Sequence, residues 1–284
     1  MKPIKSVKKK YIIGIIVALF IIIDFIVLLY PTVSDYINSR SQSRVVVGYF
    51  NDVTTMDTSQ TKAMLAAAAE YNKSLIGNTE LNHFTAAQTA EYDAQLNTSS
   101  GVMGILEIDK INVKLPVYHG TSAGVLQVGV GHIQGTSLPI GGIGTHAAIS
   151  GHTGLPSSLL LTDLTKMANG DTFVIYILGE TLTYQVDQIK TVLPDDTNNL
   201  GIDPDKDYVT LVTCTPYGIN DHRLLVRGHR IANAPKSDWK TVYADAQRLD
   251  KIMIILIFII PILPILIIYG ILKFRKIHKK RNIQ

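Results

Sequence analysis

Two long apolar runs constrain this chain more than any other feature of its sequence. Residues 11–30 (YIIGIIVALFIIIDFIVLLY) contain one charged side chain, Asp24, and residues 252–272 (IMIILIFIIPILPILIIYGIL) contain none. Each run has about the 20 residues that a helix needs to cross the hydrocarbon core of a bilayer. The first run is longer than the apolar part of a cleaved signal peptide, and no A-x-A-like site follows it. The sequence therefore predicts two transmembrane helices, the first of them an uncleaved signal anchor.

Basic residues lie on the outer flank of each run. They are Lys2, Lys5, Lys8, Lys9 and Lys10 before the first run, and Lys273, Arg275, Lys276, Lys279, Lys280 and Arg281 after the second. Because positively charged flanks remain cytoplasmic, we expect both termini in the cytoplasm and residues 31–251 outside. The flanks also account for the net charge of +4, since residues 31–251 hold 16 lysines and arginines against 22 aspartates and glutamates, a net of −6. Nothing in that exterior part indicates nucleic-acid binding.

The chain between the two runs changes character near residue 101. Residues 31–100 are rich in helix formers, which predicts helices over 61–75, ending near Gly77, and over 85–96. Short β-branched and aromatic runs separated by Gly, Pro and Asn then predict strands over 103–108, 114–118, 146–150, 172–178, 182–192, 208–214 and 223–231. A short helix is expected over 159–167. The number of strands favours an all-β barrel or sandwich over alternating β-α-β units.

The last two predicted strands enclose the turn-rich stretch TPYGINDH, which predicts a hairpin. Cys214 ends the first of these strands and Arg223 begins the second, so a thiol and a guanidinium are expected at the same end of one sheet. Cys214 is the only cysteine, which excludes an intramolecular disulfide. It is either a small buried hydrophobe or a reactive nucleophile. Arg223 is either a solvated strand residue or a fixed positive charge for a developing oxyanion.

A thiol that attacks a carbonyl group also needs a group that transfers protons, and histidine is the usual one. His152 lies in SGHTGLP, where flanking glycines allow a side chain at a strand end to project into a groove. His146 is the next candidate, whereas His119, His132 and His229 flank strands without obvious partners. A metal site at His146 and His152 is not expected, because no H-E-x-x-H, Asp or Cys partner stands at a ligand spacing. No Asp or Asn is visibly placed to orient His152.

The stretch TLVTC, with Arg223 nine residues after Cys214, resembles the signature of the sortases, cysteine transpeptidases of Gram-positive bacteria. The longer stretch TCTPYGIN-x-HRLLVRG resembles their class C, pilus-building branch. GILEIDKINVKLPVYHGTS, GVGHIQGTSLPIGG, THAAISGHTGLP and LPDDTNNL are also similar to blocks of that family, in its order. The resemblance implies a mainly β fold: a closed eight-stranded sortase β-barrel with short helices, an N-terminal helical lid region and two flanking transmembrane helices. It also implies catalytic roles for Cys214, His152 and Arg223, without a metal or organic cofactor.

The resemblance further implies a reaction and its partners. An LPxTG-like sorting signal on a pilin or surface protein would be cleaved after its Thr, which leaves a thioester on Cys214. The amine of a pilin lysine would then resolve the thioester and polymerise the pilus. A housekeeping sortase that attaches surface proteins to the cell wall is the alternative within this chemistry; the second span and the lid-like segment count against it. A non-enzymatic, membrane-anchored surface scaffold is the alternative from another class, and it leaves Cys214, His152 and Arg223 as a coincidence.

One block departs from the class C pattern. Members of that branch usually carry a lid with Asp-Pro-aromatic over the active site, and the stretch that matches it here is Asn82-His83-Phe84. Phe84 can still plug an apolar groove, but Asn82 cannot form the ion pair that an Asp would make with Arg223. An ordinary exposed loop is the alternative interpretation.

These expectations divide the chain into seven segments. They are a cytoplasmic basic segment (1–10), a transmembrane signal anchor (11–30), an extracellular helical region with the lid-like segment (31–100), the sortase β-barrel catalytic domain (101–233), a linker (234–251), a second transmembrane helix (252–272) and a cytoplasmic basic tail (273–284).

Overall fold

The computed structural model describes residues 4–77 and 83–233. Helix α1 (Ile4–Thr55) opens the chain as one helix of 52 residues. Internal contacts divide the chain into two compact units at Asp35, so that the helix from Tyr36 onward belongs with the rest of the described chain. α1 contains the candidate membrane span Leu19–Thr55, identified by its length and a mean hydropathy of 1.7.

This N-terminal apolar helix fits a membrane anchor, but the helix does not end where the apolar run ends at residue 30. The second predicted span (252–272), the linker beyond residue 233 and the basic tail lie outside the described residues, so those predictions stay untested.

Two further helices confirm the helical prediction for residues 31–100. α2 (Thr58–Ser74) begins at Asp57, whose side chain accepts a hydrogen bond from the Ser59 amide, and Gly77 lies beyond its end with φ of +86°. α3 (Ala86–Ala94) begins with a capping box, in which the Thr85 side chain binds the Gln88 amide and the Gln88 side chain binds the Thr85 amide.

The rest of the described chain forms a closed barrel of eight strands. They are β1 (Gly104–Ile108), β2 (Val113–His119), β3 (Val130–His132), β4 (Thr145–Ser150), β5 (Thr172–Ile177), β6 (Glu180–Val192), β7 (Asp207–Thr215) and β8 (His222–Ile231). Around the barrel their order is β1-β2-β3-β4-β7-β8-β6-β5. Helix α4 (Ala123–Val128) and three short 3₁₀ helices (Asp109–Ile111, Thr162–Lys166 and Asn198–Leu200) lie between strands.

The seven strand predictions and the barrel class are confirmed, and the missed elements are all short: β3, α4 and the 3₁₀ helices Asp109–Ile111 and Asn198–Leu200. β3 has three residues and α4 has six, too few for a periodic pattern to stand out. The short helix expected over 159–167 is a 3₁₀ helix confined to Thr162–Lys166.

Alternation along β4, β7 and β8 decides which side chains the barrel interior receives. Val209 and Leu211 of β7 lie in the main core, together with Ile149 of β4 and Val226 of β8. Because side chains alternate along a strand, Thr210, Val212 and Cys214 belong to the opposite, outward face of β7. The predicted nucleophile is therefore on the outside of the barrel, at the end of a rigid strand.

The part of α1 that belongs to this unit packs on the outside of the barrel through a second, smaller core. Val46, Tyr49 and Phe50 contact Ile105 of β1 and Tyr176 of β5 there. The Tyr49 hydroxyl also accepts a hydrogen bond from the Leu178 amide (2.8 Å) and donates one to the Met103 carbonyl (3.3 Å). This segment of the helix is thus fixed to the barrel by both apolar and polar contacts.

Candidate active site

Strand register brings the ends of β4, β7 and β8 together. β7 pairs antiparallel with β8, and Cys214 stands directly opposite Arg223. Since residues directly opposite each other point to the same face of a sheet, the thiol and the guanidinium project from the same side. The predicted hairpin and its placement of these two residues are confirmed.

His152 reaches the same position from the other side of β7. β4 runs parallel to β7, and their last pair in register is Ser150 with Val212. The pairing continues one residue further, because the Gly151 amide donates to the Val212 carbonyl (3.0 Å) and the Thr213 hydroxyl donates to the Gly151 carbonyl (2.8 Å). The next residue along the chain is His152, and continuation of the same register places it alongside Cys214.

The glycines around His152 have different roles. A Cβ atom on Gly151 would lie 2.7 Å from Cδ1 of Leu161 and 2.9 Å from Cγ1 of Val130, so the backbone passes too close to the core for any side chain. Gly154 has φ of +74°, and a Cβ there would lie 3.1 Å from Cε2 of Tyr217 in the β7–β8 loop. The sequence argument treated these glycines as a means of projecting His152; the structure shows that they allow close packing on both sides of it.

The backbone of His152 is also held from within its own loop. Its carbonyl accepts a hydrogen bond from the Leu161 amide (3.1 Å), and two residues later the Gly154 amide donates to the Thr162 hydroxyl (3.0 Å). The imidazole thus extends from a fixed backbone and is half-buried.

Arg223 is half-buried, and its guanidinium makes only local hydrogen bonds. Nη1 donates to the carbonyls of His222 (3.1 Å) and Asn220 (3.3 Å). Within residues 4–77 and 83–233, no carboxylate forms an ion pair with this side chain. Because a guanidinium has five N–H donors, most remain available for a carbonyl oxygen bound beside Cys214.

His146, the second candidate for proton transfer, is used by the fold. It is 1% exposed, and both ring nitrogens are within hydrogen-bonding distance of a partner: Nδ1 is 2.8 Å from the Gly201 carbonyl and Nε2 is 2.7 Å from the Thr210 hydroxyl. Burial lowers the pKa of His146. These contacts tie the β6–β7 loop to the sheet, so the structure favours His152 over His146.

The expectation that His119, His132 and His229 lack partners is wrong. The Tyr92 hydroxyl lies 2.9 Å from Nδ1 of His132, and Nε2 of His119 lies 2.6 Å from the Gln95 carbonyl. Nδ1 of His229 lies 3.7 Å from Oδ2 of Asp187. Tyr92 and Gln95 belong to the α3 region, far from the histidines in sequence, so no local pattern could indicate these contacts.

A polar cavity of about 300 Å³ lies on the same outer face, at the other end of β7 from Cys214. Tyr208, Arg227, His146 and Lys190 contribute to its lining. Arg227 stacks over the Tyr208 ring at 4.1 Å and forms a bidentate pair with Asp187. The sequence did not indicate this cavity, because four separate segments of the chain form its wall.

The lid-like segment is only partly described. Asn82 lies outside the described residues, His83 is exposed, and Phe84 is half-buried immediately before the Thr85 cap of α3. The roles proposed for Asn82, His83 and Phe84 stay predictions. The described residues contain no group of three or more His, Cys, Asp or Glu side chains able to hold a metal ion.

Comparison with known proteins agrees with this fold. The family model of the sortase domain matches residues 106–231. The crystal structure of sortase C1 from Streptococcus agalactiae is 52% identical, with a TM-score of 0.64 over 67% of this chain and 100% of that one. Sortase C from Streptococcus pneumoniae is 40% identical, with a TM-score of 0.61 over 68% of this chain and 99% of that one.

A curated relative gives a more distant match. Sortase D of Bacillus subtilis (strain 168) is 30% identical over 131 residues, which cover 45% of this chain and 63% of that protein, less than two thirds of its length. The chain belongs to the sortase family, the cysteine transpeptidases that its TLVTC motif resembles. Its neighbours among solved structures include class C sortases.

Proposed function

We propose that this protein cleaves an LPxTG-like sorting signal after its Thr and transfers the acyl group to a pilin lysine. The observation that carries the proposal is the meeting of His152, Cys214 and Arg223 at neighbouring ends of β4, β7 and β8. Acyl transfer by a thiol requires a nucleophile, a proton-transfer group and a positive charge for the oxyanion, and these residues supply one each.

In the first half of the reaction, the thiol of Cys214 passes its proton to His152, and Sγ attacks the carbonyl carbon of the substrate Thr. Negative charge develops on the carbonyl oxygen, and the guanidinium of Arg223 stabilises it by charge-assisted hydrogen bonds. The C–N bond to the following Gly then breaks, and His152 gives a proton to the departing amine. A thioester remains on Cys214.

In the second half, the lysine amine attacks the thioester carbonyl. His152 accepts the proton that the amine loses, Arg223 again stabilises the oxyanion, and the thiolate of Cys214 departs. An isopeptide bond between two subunits forms. No metal or organic cofactor takes part in either half.

The similarity to class C sortases favours pilins as substrates over proteins destined for the cell wall. The S. agalactiae relative at 52% identity is a sortase C1, and the S. pneumoniae sortase C structure is reported to bear on pilin substrate specificity. The alternative is a housekeeping sortase that attaches surface proteins to the cell wall. The two functions differ in the amine that resolves the thioester, so identifying that amine distinguishes them.

We also propose an extracellular catalytic domain on a two-span membrane anchor with both termini cytoplasmic. The apolar N-terminal helix and the basic residues beside both apolar runs support this topology. Asn82-His83-Phe84 would act as a lid over the same site, with Phe84 in the groove.

The central test measures cleavage of an LPxTG peptide by the full chain in detergent micelles, with mass spectrometry of the acylated enzyme. Cys214→Ala should form no thioester. His152→Ala should slow cleavage by about 10²–10⁴-fold and Arg223→Ala by about 10²–10³-fold, the usual value of a proton-transfer group and of an oxyanion donor. His222→Ala is the matched control, because His222 adjoins Arg223 but pairs only with the exposed Asp221. Retained thioester formation by Cys214→Ala, or equal losses in the control, would overturn the assignment.

A further inference from the structure

Helix α1 contacts the loop that follows His152. The amide nitrogen of Asn38 donates to the Ser157 carbonyl (2.7 Å), and that of Gln42 donates to the Ser158 hydroxyl (3.3 Å). Asn38 and Gln42 are four residues apart and therefore lie on one face of the helix. Their partners follow His152 by five and six residues.

The Gln42 contact is buried and the Asn38 contact is half-buried. Gln42 is 8% exposed and Ser158 is 3% exposed. A buried polar side chain is costly unless it is hydrogen-bonded, so an apolar residue would be the simpler choice if the contact served only to attach the helix. The same helix face is already attached further along by Val46, Tyr49 and Phe50. The side-chain amides of Asn38 and Gln42 are therefore not needed to attach the helix, and they can hold the loop after His152 in place.

The loop is held on its other side as well. Gly154 lies against the ring of Tyr217, which extends from the β7–β8 loop between Cys214 and Arg223. The loop also folds back on itself through a bridge between Leu155 and Ser158. A shift of Ser157 and Ser158 would thus be transmitted through a short, closed loop to His152.

We propose that Asn38 and Gln42 are positioning residues of the active site, which hold the loop after His152 so that its imidazole stays in register with Cys214. The segment of α1 that packs on the barrel would then contribute to proton transfer as well as to attachment. The inference rests on the proposed roles of His152 and Cys214.

The test measures single-turnover acylation and steady-state cleavage of an LPxTG peptide by the full chain in micelles. Asn38→Ala and Gln42→Met should lower kcat about tenfold, within the roughly 100-fold that a 1 Å misplacement can cost, and leave KM within about twofold. Asn38→Asp should lose as much as Asn38→Ala, because a carboxylate has no N–H for the Ser157 carbonyl. Ser39→Ala is the matched control: Ser39 is on the same helix turn, but its hydroxyl binds only the Tyr36 carbonyl of its own helix.

A double-mutant cycle separates positioning from general destabilisation. If Asn38 acts through His152, Asn38→Ala should lower single-turnover acylation by less than about twofold once His152 is replaced by Ala. An equal loss in both backgrounds, or wild-type kcat in Asn38→Ala and Gln42→Met, would refute the inference while leaving the proposed function intact. Wild-type acylation by His152→Ala would instead refute the proposed role of His152 and with it this inference.

Discussion

Acid should destabilise the folded protein through one buried histidine, His132. Its ring is fully buried; Nε2 lies 2.8 Å from the Ser137 carbonyl and Nδ1 lies 2.9 Å from the Tyr92 hydroxyl. The neutral ring satisfies both contacts when Nε2 donates to the carbonyl and Nδ1 accepts from the hydroxyl. Burial, with a smaller contribution from the nearby His119, lowers the pKa of His132 from 6.5 to about 4.

The difference between the pKa of His132 in the unfolded chain and in the folded chain sets the direction and the size of the change in stability. Below pH 6.5 the unfolded chain binds a proton that the folded chain does not bind until about pH 4, so stability is lost as the pH falls. Each pKa unit is worth about 1.4 kcal/mol, which gives about 3 kcal/mol once His132 is protonated in both the folded and the unfolded chain. Between pH 7.5 and pH 5, His132 should lower the free energy of unfolding by about 2 kcal/mol.

Urea unfolding of the full chain in micelles, followed by the near-ultraviolet circular dichroism of its tyrosines, measures this loss. His119 and His146 have lowered pKa values as well and act in the same direction, whereas the raised pKa of Asp207 acts in the opposite one. The informative quantity is therefore the difference between the wild type and His132→Gln, which cannot titrate. His132→Gln should lose about 2 kcal/mol less than the wild type between the two pH values, and His222→Gln, which removes an exposed imidazole, is the control. Parallel pH dependences of the wild type and His132→Gln would refute the reasoning.

Two further substitutions test the packing around the site and the attachment of α2. Gly151→Ala should cost about 1–3 kcal/mol of stability and slow peptide cleavage, because its Cβ would overlap Leu161 and Val130. Gly201→Ala is the control, since its Cβ would have nothing within 4 Å and its φ is −63°. Wild-type cleavage by Gly151→Ala would show that the close packing of Gly151 against Leu161 and Val130 does not constrain the site. Asn72→Leu should leave the buried amide of Leu138 without the side-chain partner that it has in the wild type, at about 1–3 kcal/mol, whereas the Leu138 carbonyl keeps its hydrogen bond from the Ile140 amide (2.8 Å). The urea midpoint checks this against Lys73→Ala, which removes only an exposed pair with Glu70; equal midpoints for the two variants would contradict it.

Much of the architecture could be predicted because the signals are local. Alternating β-branched runs and turn formers identified seven strands and the hairpin after Cys214, and runs of helix formers identified the helices α2 and α3. The placement of Cys214 and Arg223 at the same end of one sheet needed no tertiary information, whereas their direct pairing comes from the structure. The resemblance to sortases added the closed barrel, which the structure confirms, and the prediction of a catalytic role for His152; periodicity alone could supply neither.

The tertiary structure adds a reason to prefer His152, the first candidate from the sequence, to His146, the second. His146 is enclosed by Gly201 and Thr210, whereas His152 continues the β4–β7 register to Cys214. The parallel pairing of β4 with β7 joins segments about sixty residues apart, and no local pattern specifies such a partner.

The same reason explains the contacts that were missed altogether. Asn38 and Gln42 meet the His152 loop across more than a hundred residues, and Tyr92 meets His132 across forty. A helix cap or a turn depends on residues that are neighbours in the chain, so the sequence can predict it. Contacts of this kind exist only after the barrel closes, because closure alone brings their partners within hydrogen-bonding distance.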